Sequence, residues 1–223
     1  MIFERFSHSG IQSYKKCQAQ FKFRYIDKIY KKDEGVEAFL GKRVHESIEY
    51  LYNQVISGVV PLVDEILKVH RSLWKEKWHD RVAIVYQNKT ARDYFYLGEE
   101  CIARFYRQNH PFKEKVIANE HEMVFLLDND ENYRIKGIVD RIDHDGDGNW
   151  EIHDYKTGKR ALSQKAADKD HQLALYQIGL MSEIDNIKSV KLVWHFIQHG
   201  IKVESTRTSE DIKKVIAETK SSI

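Results

Sequence analysis

Apolar residues recur at intervals of three and four along the first half of the chain and at every second position along most of the second half, and the change falls near Val116. Ser9 and Ser13 are candidate caps for a first helix running to about Tyr25. Leu40, Val44, Ile48, Leu51 and Val55 place a second over roughly 37–57. Pro61, at a first-turn position, opens a third carrying Leu62, Ile66, Val69 and Leu73, and a fourth spans about Thr90 to Asn109. From Val116 the pattern predicts strands over Val116–Leu127, Tyr133–Ile142 and Trp150–Tyr155, which form a meander. A helix from about Asp168 to Met181, strands over Val190–Gln198 and Ile201–Arg207 (the latter an edge strand), and a closing helix from Ser209 complete the reading. The expected fold class is α/β, a central mixed sheet flanked by helices. One domain of 1–223 is expected, with a helical N-terminal half and an insertion at about 58–112.

The chemistry gathers on one hairpin. A turn at Asp145-Gly146-Asp147-Gly148 sets Asp140 opposite His153 or, one step away, Asp154. The two carboxylates then stand roughly 5 to 7 Å apart, as cross-strand neighbours do. Lys156, two residues beyond Asp154, points to the same face. Carboxylates this close repel unless a cation sits between them, and hard oxygen ligands suit Mg²⁺ or Mn²⁺. Such an ion would acidify a bound water and neutralise charge on a phosphate, with Lys156 as a point charge beside it. The bland alternative is a surface hairpin with ordinary salt bridges.

Composition narrows the setting without deciding the function. With 42% hydrophobic and 31% charged residues, the 223-residue chain reads as a soluble globular protein. It has no apolar run long enough to span a bilayer, and Met1-Ile2-Phe3-Glu4-Arg5 lacks the layout of a signal peptide, so a cytoplasmic, intracellular protein without membrane contact is expected. Cys17 and Cys101 are too few for a disulfide framework or, alone, for a four-thiolate metal site. The net charge of +2 is small but unevenly spread. Lys15, Lys16, Lys22, Arg24, Lys28, Lys31 and Lys32 face only Asp27, interleaved with Tyr14, Phe21, Phe23 and Tyr25. That pattern fits phosphate contacts with base stacking, or a solvated amphipathic helix.

The string Gly137-Ile138-Val139-Asp140-Arg141-Ile142-Asp143, a turn, then Asp154-Tyr155-Lys156-Thr157-Gly158 resembles the PD-(D/E)XK nuclease superfamily, in its RecB-type branch. Residues 6–17, ending in Phe23-Arg24-Tyr25, are similar to that branch's N-terminal helix motif. Gly41-Lys42-Arg43-Val44-His45 resembles its glycine-to-histidine motif, and Gln172 with Tyr176 its Q-x-x-x-Y motif. The resemblance covers most of the chain, the middle helices least. It implies a restriction-endonuclease-like fold and a metal centre of His45, Asp140, Asp154 and the Tyr155 carbonyl, with Glu120 assisting. Glu122, on the same strand face, competes with Glu120 for that last role. Lys156 would orient the attacking water, and Gln172 and Tyr176 would contact the DNA backbone or order the site. Ser13, Tyr14, Lys15, Lys16, Arg24 and Tyr25 would bind DNA. A missing side chain at Gly41 would let its helix approach the sheet, bringing His45 to the metal four residues on.

Some nucleases of this branch hold an iron–sulfur cluster with one N-terminal and three C-terminal cysteines. Here Cys17 occupies the first place and no cysteine follows Lys156, so no cluster is expected. Asp143, Asp145, Asp147, Gly148 and Asp154 fit an EF-hand loop only loosely, since strands flank them and the last ligand is Asp. His45-Glu46 lacks the second histidine of a zinc-protease helix. The expected activity is Mg²⁺- or Mn²⁺-dependent hydrolysis of DNA, single-stranded or with free ends, by an exonuclease of recombination, repair or defence. The alternatives are a non-catalytic DNA-binding or assembly subunit with a nuclease fold, and a nuclease module dependent on a helicase or recombination partner.

Overall fold

A computed structural model describes residues 5–29 and 33–223. Lys31 and Lys32 of the basic run lie outside them. The helices are α1 (His8–Lys16), α2 (Gln18–Phe21), α3 (Val36–Ile56), α4 (Val63–Lys77), α5 (Ala91–Asn109), α6 (Gln164–Ala167), α7 (Gln172–Glu183) and α8 (Ser209–Lys220). The strands are β1 (Glu34–Gly35), β2 (Val82–Ala83), β3 (Val116–Leu126), β4 (Arg134–His144), β5 (Asn149–Lys156), β6 (Ser189–Phe196) and β7 (Ile201–Thr206). No helix among the described residues is long and apolar enough to cross a membrane.

The main sheet has the order β3-β4-β5-β6-β7. All neighbours are antiparallel except β5 and β6, which run parallel because α7 carries the chain across between them. The expected meander and the mixed sheet are both present, with β7 at an edge. On one face α7 and α8 bury Leu173, Leu175, Ile178 and Val215 against Met123, Ile152, Leu192 and Trp194. On the other, Phe39, Val44, Ile48 and Tyr52 of α3 pack with α4 and α5 and continue into Tyr155 and Ile197 of the sheet side.

Three elements differ from the periodicity reading. The first helix is broken: α1 is capped by Ser7, whose Oγ accepts from Gly10 N at 3.1 Å, rather than by Ser9 or Ser13. Cys17 then turns extended, and residues 22–26 continue as a π-helix. No glycine or proline marks the break in the sequence; it lets Tyr14, Phe21 and Tyr25 pack as a ring cluster, with centroids 5.4 and 5.1 Å apart. Pro61 lies just outside α4, whose cap is Leu62. The helix expected from Asp168 begins at Gln172, because α6 ends at Ala167 and the chain turns between the two.

Strands β3 and β4 change phase halfway. Met123 and Phe125 with Ile135 and Val139, all odd-numbered, face the α7 core, but farther along Ala118 and Ile142 do so, while Arg141 turns to the opposite side and lies 4.2 Å over the Tyr52 ring. The pairs Asn119–Arg141 and His121–Val139 bracket the change, which falls at Glu120 and Asp140. Glu120 takes a left-handed φ of 50°, a conformation that costs a non-glycine residue on the order of 1 kcal/mol or more.

Candidate active site

The site occupies a fork in the sheet. β4 pairs with β5 only from Arg141–His153 to His144–Trp150. At its other end β4 is bridged instead by Phe6, which donates its N–H to Arg134 O at 2.8 Å and accepts from Lys136 N at 2.7 Å. Between these stretches the edge of β4 is open. Extending the β4–β5 register by one sets Asp140 opposite Asp154, the second of the two registers the turn allowed. No ladder bond forms there; Asp140 Oδ2 accepts the Tyr155 N–H at 2.6 Å.

Helix α3 brings His45 to this fork. A Cβ at Gly41 would lie 2.8 Å from Thr157 Oγ1, so the absent side chain permits the close approach. His45 Nε2 donates to the Tyr155 carbonyl at 2.6 Å, and its Nδ1 lies 3.8 Å from Asp140 Oδ2. Ligand atoms of His45, Glu120 and Asp140 lie within 4.8 Å of one another. The phase change at Glu120 also separates it from Glu122, which forms an ion pair with Lys136 at 2.7 Å.

The second half of the site is a hydrogen-bonded chain. Lys156 Nζ lies 2.8 and 3.0 Å from the two Asp154 oxygens and 3.1 Å from Gln172 Oε1. Gln172 Nε2 donates to Asp154 Oδ1 at 3.1 Å and to Tyr176 Oη at 3.2 Å, which fixes the amide's orientation. Tyr176 in turn lies against Gly137, where a Cβ would come within 2.5 Å of its ring.

The electrostatics divide in the same way. Burial, then the charge of Asp154, push the Asp140 carboxyl up to about 7, against the Tyr155 N–H and Lys156. Burial and the Asp140 charge raise Glu120 as well. Burial works against the Lys156 ammonium, but the charge and hydrogen bond of Asp154, helped by Asp140 and Asp170, outweigh it and hold the pKa above that of an ordinary lysine. Carboxylates that resist ionisation beside an imidazole form the donor set a hard divalent cation would satisfy, and the residues fit Mg²⁺ or Mn²⁺. A second group of ligand types, Asp143, Glu151 and His153, is already neutralised. Arg141 Nε stands 3.0 Å from Asp143, and Lys191 Nζ 2.8 Å from Glu151.

The structure therefore gathers His45, Glu120, Asp140, Asp154, Tyr155, Lys156, Gln172 and Tyr176 in one place. Of the N-terminal residues expected at DNA, Tyr25 reaches Ser9 Oγ at 3.4 Å, at the rim of the cleft beside Gln172, and the others do not line that cleft. Tyr14, Lys15 and Lys16 line a hollow with Ser221 to Ile223, and Arg24 stacks over Tyr25 at 5.6 Å. Ser13 is half-buried on α1. Two residues at the site were given no role of their own in the sequence reading. Glu49 lines a depression with His45 and Glu120, and its place one turn after His45 could have flagged it. His8, at the start of α1, lines the cleft beside Gln172, and no spacing or charge pattern marks it.

A family model described as the PD-(D/E)XK nuclease superfamily matches residues 5–221. No curated protein matches the chain.

Proposed function

The chain belongs to the PD-(D/E)XK nuclease superfamily, and on that premise we propose that it is a Mg²⁺- or Mn²⁺-dependent deoxyribonuclease of the RecB-type branch, without an iron–sulfur cluster, that degrades DNA from its ends in recombination, repair or defence. The observation that carries this reading is the contact of Lys156 with both Asp154 oxygens and with Gln172, one strand from Asp140. A catalytic lysine, two acids and a polar relay are complete and mutually oriented, which favours an enzyme over an idle scaffold. The core that joins α3–α5 to Tyr155 and Ile197 supports a single domain in which the 58–112 segment is an insertion.

In hydrolysis of a phosphodiester, a water oxygen bonds to phosphorus as the bridging P–O bond breaks; the water gives up a proton and the leaving oxygen gains one. His45, Glu120, Asp140, Asp154 and the Tyr155 carbonyl would hold a divalent cation, which supplies Lewis acidity and charge neutralisation at the phosphate. Lys156 stays an ammonium at neutral pH, so it serves as a positive point charge that holds the attacking water and steadies the crowded phosphorus, not as a base. Gln172 keeps Lys156 and Asp154 in register, and Tyr176 anchors Gln172.

Incubation of linear single- and double-stranded DNA with Mn²⁺, against the same reaction in EDTA, tests the reading. Cleavage with Mn²⁺ alone is expected, with mononucleotide or short products released from ends. An Asp154→Ala protein that kept full activity would overturn the assignment.

A further inference from the structure

The fork opens to solvent on two sides, and the two openings differ in chemistry. One, lined by Gly41, Lys42, His45, Glu46, Glu49 and Glu120, is dominated by acids. The other, a cleft of about 400 Å³, contains no carboxylate: Ser7, His8, Ser9 and Lys136 line it, together with Gln172 and Tyr176 of the catalytic chain. The acidic opening suits cations; the second offers an anion on its way to Lys156 the hydroxyls of Ser7 and Ser9, the imidazole of His8 and the ammonium of Lys136, the last already paired with Glu122. The cleft's volume falls within the range of pockets that take one small ligand.

The position of His8 follows from the fold. Phe6 occupies the edge of β4 that β5 has left, and α1 starts two residues later, so the chain must deliver Ser7 and His8 to the mouth of the fork. The imidazole is half-buried, and burial, ahead of the opposing charges of Asp170 and Asp154 and the like charges of His171 and Lys156, holds its pKa below that of an ordinary histidine. Gln12 Nε2, a donor only, lies 3.4 Å from His8 Nε2, so where that bond forms Nε2 accepts and the ring proton resides on Nδ1.

We propose that this cleft seats the nucleotide adjoining the scissile bond, and that His8 donates a hydrogen bond to the phosphate next to the one that is cut. The inference rests on the nuclease reading and deepens it: the substrate is held by one strand, with its cut phosphate at Lys156 and its neighbouring phosphate at the start of α1. His8 acts on binding, leaving the chemistry of the reacting phosphorus to Lys156 and the acids.

The test is steady-state cleavage of a short single-stranded DNA, and of a blunt duplex of the same sequence, with Mn²⁺ by the wild-type, His8→Ala and His8→Asn proteins. His8→Ala should raise KM about tenfold, the loss expected for one hydrogen bond to a charged group, with kcat little changed. Asn, which places an N–H near that of Nδ1, should recover most of the loss. Making the neighbouring linkage a neutral methylphosphonate, on each side of the scissile bond in turn, should weaken binding to the wild type on one side and add nothing to His8→Ala there. Unchanged KM, a loss confined to kcat, or fully additive effects of mutation and methylphosphonate would overturn the role of His8 while cleavage by the wild type kept the nuclease reading intact. A wild-type protein that cleaves neither DNA removes both.

Discussion

His45 Nε2 and the backbone oxygen of Tyr155 face each other at 2.6 Å, joined by a proton. Both atoms belong to the proposed metal centre, so a cation held by the pair would take that proton's place. For a neutral imidazole that exchange is a tautomer shift to Nδ1 with no net loss of a proton; the proton released is that of Asp140, which burial and Asp154 raise to about 7 and so keep protonated through much of the mildly acidic range. Cation binding should therefore release protons, and affinity should fall as pH drops below about 7. Calorimetric titration with Mn²⁺ in two buffers of different ionisation enthalpy measures the release at pH 6.5. Identical heats in the two buffers would contradict the linkage.

The same shift bears on stability. The folded-state pKa of Asp140 lies above the ordinary aspartate value of 3.8, so the folded protein retains a proton that the unfolded chain loses between about pH 4 and 7. With the unfolded state binding fewer protons, the cation-free protein should lose stability as pH rises through that window. Asp140→Asn keeps an acceptor for the Tyr155 N–H but removes the charge. It should be more stable than the wild type by about 1–3 kcal/mol at pH 8 in EDTA, nearly equal at pH 4, and inactive at both. Denaturant melts at the two pH values check this.

Lys156→Ala should lower cleavage by about 10²-fold or more. Asp154 remains hydrogen-bonded to Gln172 in that variant, and the His45, Glu120 and Asp140 group is untouched. The rise in Tm on adding Mn²⁺ should therefore survive, whereas His45→Ala should diminish it. Loss of the Mn²⁺ response in Lys156→Ala would make the lysine part of the metal centre's architecture rather than of the chemistry.

Gly137→Ala would drive a Cβ to 2.5 Å from Tyr176 Cε1 and 2.9 Å from Cδ1. Displacing the ring should cost about 1–3 kcal/mol and slow cleavage by loosening Gln172. Adding Tyr176→Ala should restore much of the stability lost to Gly137→Ala, a negative coupling that a thermal-melt cycle of the four proteins measures. Additive losses would show that the ring has room to move aside.

Much of this site could be read from the chain because its parts are local. Asp140, Asp154 and Lys156 lie on one hairpin whose turn limits the register to two choices, and Gln172 and Tyr176 share a face by helical spacing. His45 depended on the resemblance, since nothing in the residues alone says that α3 docks at the fork. Glu120 and Glu122 were equivalent by strand alternation; the left-handed residue that separates them has no sequence signature, because glycine, the usual marker, is absent there. The break at Cys17 was hidden for a similar reason, as ring packing among Tyr14, Phe21 and Tyr25, and no helix-breaking residue, accompanies it. His8 is placed by a strand bridge at Phe6, a long-range pairing that no local pattern encodes.

The Tyr155 amide has a side chain, not a strand, as its acceptor. Its protection from hydrogen–deuterium exchange is then governed by the Asp140 carboxylate, while its neighbours in β5 answer to the opening of the sheet. A single backbone position in the middle of the protein would report occupancy of the proposed metal centre, readable by mass spectrometry or NMR without any substrate.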